Sequence, residues 1–379
     1  MSTAPDSEAP ASTPSRGAVR AYRPALRDGV RIGPPLLRGP RTVHLVRHPV
    51  TGAVFEVGPK EHFVLSRFDG TRTLDDLAPE YAARFGRRLA EGSWNGLLGL
   101  LGARGLLDGA PDPPLPEPAP GRANTLWRGT RRMVADADAT TARLHRVLRP
   151  LLHRAVQLPL LAAALALVPV LALHTGELVD GAAELVRQPV VLAAAALFLW
   201  FSITLHELAH GVAAQHYGGH VAEIGLRWRF PAAMLYCTVD DYLFITGRRA
   251  KLVIAGAGAY LNLLLLLPFA IRWYTLPEDE PARALLAGLL LLGAVQALSN
   301  LVPLPPLDGY RMLGHLLGTA HLAPETRAYL SLRRTGAAAV AAYPRRARLI
   351  HTAYGAGAVL LLLLAVAGTC TVALLLLLG

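Results

Sequence analysis

The chain has 379 residues, 53% hydrophobic and 17% charged, with a positive mean hydropathy. That balance excludes an ordinary soluble domain and a disordered chain, and two cysteines, Cys237 and Cys370, exclude a disulfide framework or a Cys-rich metal site. The net charge of +11 is carried mostly by arginines that flank apolar runs, which points to membrane orientation in preference to nucleic acid, so no nucleic-acid partner is expected.

Residues 1–40 begin as a Pro/Ala/Ser leader without an apolar core of signal-peptide length, predicting a disordered segment that stays in the compartment of synthesis. Residues 41–110 have the texture of a small soluble α+β domain. "TVHLVRHPVTGAVFEVGP" reads as a hairpin, and two helices follow in "TLDDLAPEYAARFG" and "SWNGLLGLLGARGLL", with Thr73 and Ser93 as N-caps. The proline-rich stretch within 111–123 is a semi-rigid linker. Residues 124–154 mix arginine with Leu, Val and Trp, which predicts an amphipathic juxtamembrane helix with Trp127 at headgroup depth; a solvated helix fits the same composition.

Residues 155–379 hold five apolar runs, Val156–Leu173, Val190–Ala214, Leu252–Ile271, Ala284–Leu298 and Ala353–Leu378, the fourth broken near its end by prolines. Arginines cluster before the first run, between the second and third, and between the fourth and fifth. The intervening stretches, "HTGELVDGAAELVRQP" and "RWYTLPEDEPAR", are poorer in arginine and richer in acid. The predicted fold is therefore a multi-span α-helical cell-membrane protein with about five transmembrane helices. Its small N-terminal domain is cytoplasmic and its C-terminus lies outside.

Chemistry enters in the second run. "HELAH" places His206 and His210 one helical turn apart, able to bind one metal ion through neutral imidazoles, with Glu207 beside them to take a proton from water. Two histidines leave zinc a protein ligand short. Asp308 in "SNLVPLPPLDGY" is the candidate third ligand, and both motifs fall at the cytoplasmic ends of spans running the same way. His216 and His220 read as interfacial residues, and Asp240 and Asp241 as a helix cap before "YLFITGRRAKL". In "EIGLRWRF", Ile224, Leu226, Trp228 and Phe230 alternate. The stretch could offer a sheet edge to an extended substrate, and a membrane-resting hairpin explains the pattern equally well.

Asp308 offers a hard oxygen ligand in a stretch that the prolines at 303, 305 and 306 break, and the shared direction of the two spans is an independent check. "HELAH" followed far downstream by "NLVPLPPLDG" resembles the site-2 protease family of intramembrane zinc metalloproteases, the M50 peptidases, from about Val156 to the C-terminus. The resemblance implies zinc held by His206, His210 and Asp308, with Glu207 as general base and then acid. The family's Ala-Gly-Pro-x-x-Asn element is matched by "AGAYLN" with Ala259 in place of proline, which makes Asn262 a substrate-contacting candidate; a helix-packing asparagine is the alternative. Asn300 is the second substrate-contacting candidate. Tyr310 stands where the family often has a second glycine, and no PDZ-like insertion is visible.

The N-terminal domain, through "RFDG", "TLDDL" and the closing "GLL", resembles the PqqD-like, winged-helix-type fold, whose relatives bind leader segments of ribosomally made peptide precursors by strand addition. The strand near Thr42–Arg47 or Val54–Val57 would take such a leader. Three functions follow as expectations. The first is a membrane zinc protease in maturation or export of a modified peptide, acting on that peptide or a membrane-protein substrate, with a peptide exporter as a partner. The second is a site-2-type signalling protease that cuts a membrane-anchored regulator. The third is a non-catalytic adaptor that recruits a peptide, against which the intact Glu207 argues.

Overall fold

Residues 22–114, 124–230, 232–240, 242–336 and 340–378 are described by a computed structural model, in which the chain separates into two units. Most of the 111–123 linker, Asp241 and residues 1–21 lie outside the described residues.

In the first unit, strand β1 (Arg31–Ile32) and strand β3 (Val54–Val57) both pair antiparallel with β2 (Arg41–Arg47), in the registers Ile32↔Val46 and Val46↔Phe55. Among the described residues the 41–47 strand is thus flanked on both sides, whereas the other leader-binding candidate, 54–57, pairs on one side only. The hairpin between β2 and β3 closes on His48, whose buried Nδ1 accepts the amides of Val50 and Thr51 at 3.2 and 3.1 Å. Helices α1 (Pro59–Leu65), α2 (Leu74–Phe85) and α3 (Glu91–Ala103) cover the sheet. Val46, Leu65, Leu74, Leu77, Tyr81, Leu101 and Leu106 form the centre of the core.

Three expectations meet the structure here. Thr73 caps α2 as its sequence predicts: its hydroxyl accepts the Asp76 amide, and the Asp76 carboxylate accepts the Thr73 amide. Thr73→Ala removes half of this reciprocal cap and is expected to destabilise α2 by about 1 kcal/mol, read as faster amide hydrogen exchange across 74–85. Ser93 is not the cap of α3. The helix starts at Glu91 behind Ala90, which has no side-chain cap, and Ser93 is already inside the first turn. Residues 22–40 of the segment expected to be disordered are held in the fold. The backbone of Ala25–Arg27 bonds to Phe68, Leu106 and Asp108, and Leu26, Val30 and Ile32 pack on the core, giving this stretch apolar burial that its N-terminal composition lacks.

The second unit begins with a correction as well. Instead of one helix over 124–154 the structure has strand β4 (Arg128–Arg132) and helix α4 (Ala137–Leu148), with Asp136 accepting the Ala139 amide at 2.9 Å as the N-cap. Trp127 packs edge-on against Phe230. The β4 strand completes a three-stranded sheet with β5 (His220–Arg229) and β6 (Ala232–Asp240) in the order β4–β5–β6. The "EIGLRWRF" stretch is therefore central, and β4 and β6 are the two edges.

Five helices have the length and apolar composition to cross a membrane: α5 (Arg154–Leu173), α7 (Pro189–His216), α8 (Arg248–Thr275), α9 (Pro281–Ser299) and the final helix as far as Thr371. Between α5 and α7, the stretch read as a loop is a 13-residue helix, α6 (Thr175–Arg187). It lies so close to α9 that a Cβ at Gly181 would overlap the Ala284 carbonyl. Glu177 accepts from Arg283 Nε at 2.6 Å and from Trp273 Nε1 at 2.8 Å. The hydrogen bonds from Arg283 and Trp273 outweigh burial and hold the Glu177 carboxyl below its ordinary range.

Two corners position the site. After α7, Gly218 takes φ +73° and the Gly219 amide returns to the Ala214 carbonyl, ending the helix just beyond the histidines. The α8 helix then starts at Arg248 behind Gly247, so Asp240 is not its cap; a 3₁₀ turn at Tyr242–Phe244 intervenes. The α9 helix stops at Ser299, where prolines at 303, 305 and 306 remove the donors needed to continue. The Gly309 amide bonds the Asn300 carbonyl at 2.8 Å, so the chain folds back and starts helix α10 (Asp308–Leu317) with Asp308 facing inward. Helices α11 (Leu322–Thr335) and α12 (Arg345–Leu378) follow.

Candidate metal centre

On α7, residues four apart share a face, so His206 and His210 stack along one side of the helix with ring centroids 4.9 Å apart. Both rings are buried, as is Asp308 (4%, 5% and 6% exposed). Asp308 Oδ2 lies 2.9 Å from His206 Nε2 and 3.2 Å from His210 Nε2. The three potential ligand atoms all fall within 4.8 Å of one another, and no other such group of His, Cys, Asp and Glu occurs among the described residues.

The histidines are oriented from behind. His210 Nδ1 donates to the Ile254 carbonyl at 2.6 Å, which turns Nε2 toward the cluster; that Nε2 is buried and has no hydrogen-bond partner. His206 Nδ1 lies 3.2 Å from Asn262 Nδ2. Burial opposes charge on Asp308, but the facing imidazoles prevail and hold its carboxyl well below the usual carboxylate range. Arg311, one turn along α10, donates to Oδ1 at 3.3 Å, leaving Oδ2 for the imidazoles. A buried nitrogen without a hydrogen bond, two imidazoles fixed through Nδ1 and one carboxylate oxygen make a donor set that fits zinc with a position left open.

Glu207, half-buried, points off this cluster toward β6, where its Oε2 accepts the Cys237 amide at 3.4 Å. The Cys237 thiol is pushed up to about 12 by burial and by Glu207, which removes it as a thiolate ligand or nucleophile.

The remaining sequence candidates go elsewhere. Asn262 is buried behind His206, on the side away from Asp308. The Asn300 side chain donates to the Gln296 carbonyl at 3.1 Å and is not part of the cluster. His216 pairs with His145 at 3.3 Å, and His220 with Asp138 at 3.2 Å; neither joins the cluster. Sequence reasoning missed Arg311, Ser202 and Gly258. The signal for the first two was helical spacing, three residues after Asp308 and four before His206.

No protein-family model matches the chain, and no solved structure matches it. Among curated proteins, the chain is similar to "Putative zinc metalloprotease Rip2" from two strains of Mycobacterium tuberculosis, H37Rv and Erdman. Each is 30% identical over 156 residues, which cover 34% of this chain and 58% of the relative. The match thus spans under two thirds of the relatives' own length.

Proposed function

We propose that the chain is a membrane-embedded zinc endopeptidase in which His206, His210 and Asp308 hold the metal and Glu207 is the general base. The carrying observation is that two stretches about a hundred residues apart, one inside an apolar helix, bring exactly three ligand-type side chains to one buried point beside a glutamate. Burying that much ionisable surface without a bound cation is costly, so an ion is the economical reason for it. The likeness to the mycobacterial zinc metalloproteases, over a third of the chain, supports the same reading.

Zinc, when bound, supplies Lewis acidity to a peptide carbonyl and makes water more acidic. The imidazoles and Asp308 Oδ2 fix its place. Glu207 takes the proton of the attacking water and then delivers it to the departing amine. The outer edge of strand β6 faces α7, where the Ala233 carbonyl accepts from Trp200 Nε1 at 2.9 Å and the Cys237 amide donates to Glu207. Ile224 turns its carbonyl to Met133 on the β4 side, while Cys237, opposite Ile224, turns its amide away from the sheet to Glu207. A peptide that replaces these two contacts and pairs with the edge would be extended, as hydrolysis requires, with its backbone beside the base. The substrate class favoured here is a ribosomally made peptide in maturation or export, supported by β3 of the first unit, which pairs on one side only among the described residues; a membrane-anchored regulator is the alternative substrate. The arginine-rich connections support the reading of a cytoplasmic N-terminal domain and of motifs at the cytoplasmic ends of their spans.

Elemental analysis of the purified full chain tests the centre. About one zinc per chain is expected, lost in His210→Ala and in Asp308→Ala. Zinc that persists in Asp308→Ala would separate the two motifs and sink the proposal.

A further inference from the structure

Behind His206 runs a chain of polar side chains from three membrane helices, Ser202 and Asn262 buried and Gln296 half-buried. Gln296 on α9 donates through Nε2 to the Ser202 hydroxyl at 3.3 Å and to the Leu199 carbonyl at 3.3 Å. Ser202 on α7 meets Asn262 Oδ1 on α8 at 3.0 Å, and Asn262 Nδ2 meets His206 Nδ1 at 3.2 Å. Ser202 and Asn262 are 3% and 2% exposed, as shut off from solvent as the imidazole they serve. Polar groups at such depth are retained only when bonded, and here every one has a partner.

We infer that Asn262, itself held by Ser202 and Gln296, is a positioning residue that fixes the ring of His206 through Nδ1, and is not a substrate contact. This rests on the reading of His206 as a zinc ligand. The geometry sets Asn262 apart from the substrate side: the His206 ring stands between it and Asp308, the side on which a substrate carbonyl would lie. The amide suits the task because it carries one donor and one acceptor, and each neighbour, a hydroxyl and an imidazole nitrogen, can either give or take a proton. When Nε2 holds a metal, Nδ1 carries the hydrogen, and the amide presents Oδ1 to it and Nδ2 to Ser202. A side chain that could only donate would not fit that state. His210 obtains the same service from a backbone carbonyl, that of Ile254, so the two ligands are oriented by unlike means and only one is open to mutation.

The test is zinc affinity of the purified full chain in detergent, by competition with a chelator, together with the visible spectrum of the cobalt-substituted protein. Asn262→Ala is expected to weaken zinc binding about 10–100-fold and to broaden the cobalt bands. Asn262→Asp, which restores an acceptor to Nδ1, is expected to recover most of that loss. Ser202→Ala, one step further back, should show a smaller loss of the same kind. If Asn262→Ala binds zinc as the wild type does and raises only the KM for a cleaved peptide, Asn262 is a substrate contact and the inference is overturned. Should Asn262→Ala fail to fold, Ser202→Ala and Gln296→Ala decide: unchanged zinc affinity in both overturns it. A wild-type chain that binds no zinc fails the proposed function itself, and the positioning role goes with it.

Discussion

Glu207→Gln is expected to keep its zinc and to lower peptide hydrolysis about 10²–10⁴-fold, the range that a positioned general base contributes. The two halves of that result have separate structural causes. Glu207 is not one of the three clustered ligand atoms, so its replacement leaves the donor set intact. Its structural contact is the hydrogen bond accepted from the Cys237 amide, and a glutamine oxygen can accept the same bond. What glutamine lacks is a basic oxygen for the proton of the attacking water. His206→Ala removes a ligand and is expected to lose zinc and hydrolysis together. The measurement is zinc stoichiometry beside mass-spectrometric cleavage of a peptide that the wild-type chain cuts. A glutamine variant that cuts at the wild-type rate removes Glu207 from the mechanism; one that loses zinc makes it a ligand.

Five spans and the three clustered residues were legible in the sequence for different reasons. A span is declared by some twenty apolar residues, a signal that needs no tertiary information. The two histidines were legible because a four-residue spacing on a helix is itself a distance. Asp308 was legible as a carboxylate in a proline-broken stretch, with topology as a check, since the two spans are read as running the same way. The failures share a physical cause. The β4 strand was read as helix because its arginines and Trp127 carry no period-two pattern, and its pairing depends on β5, nearly a hundred residues away. The central place of β5 was hidden by the same long-range pairing: alternation marks a strand but not whether it has one neighbour or two. The helix at 175–187 was missed because its stability comes from close packing of Gly181 against α9, a surface the local sequence does not contain. Asn262 was found by motif as a substrate-contacting or helix-packing candidate, and its place behind His206 was not legible, because a motif fixes identity and not direction.

Gly258→Ala is expected to abolish tight zinc binding, weakening it by at least about 10-fold, although the rule for helices predicts the opposite sign of effect. Gly258 sits in the middle of α8, where alanine is intrinsically the better helix former by about 1 kcal/mol. A Cβ there would overlap the His206 ring at Nε2, Cδ2 and Cε1, the edge that faces Asp308. The ring cannot yield backward, because Nδ1 is braced by Asn262 and the amide behind it by Ser202. The methyl must therefore push Nε2 away from Asp308 Oδ2 or force α7 and α8 apart, and either change spoils a donor set that tolerates only a few tenths of an ångström. Gly256, one half-turn earlier on the same helix, is the control. Its nearest neighbour is the flexible Met312 side chain at 3.6 Å, an ordinary contact, so Gly256→Ala is expected to bind zinc as the wild type does. Zinc affinity of the two variants, measured with the helical circular dichroism of each, separates a local effect on His206 from a general one on α8. Equal zinc binding in both would mean that His206 has room to move, and that its burial against Gly258 does not set the metal site.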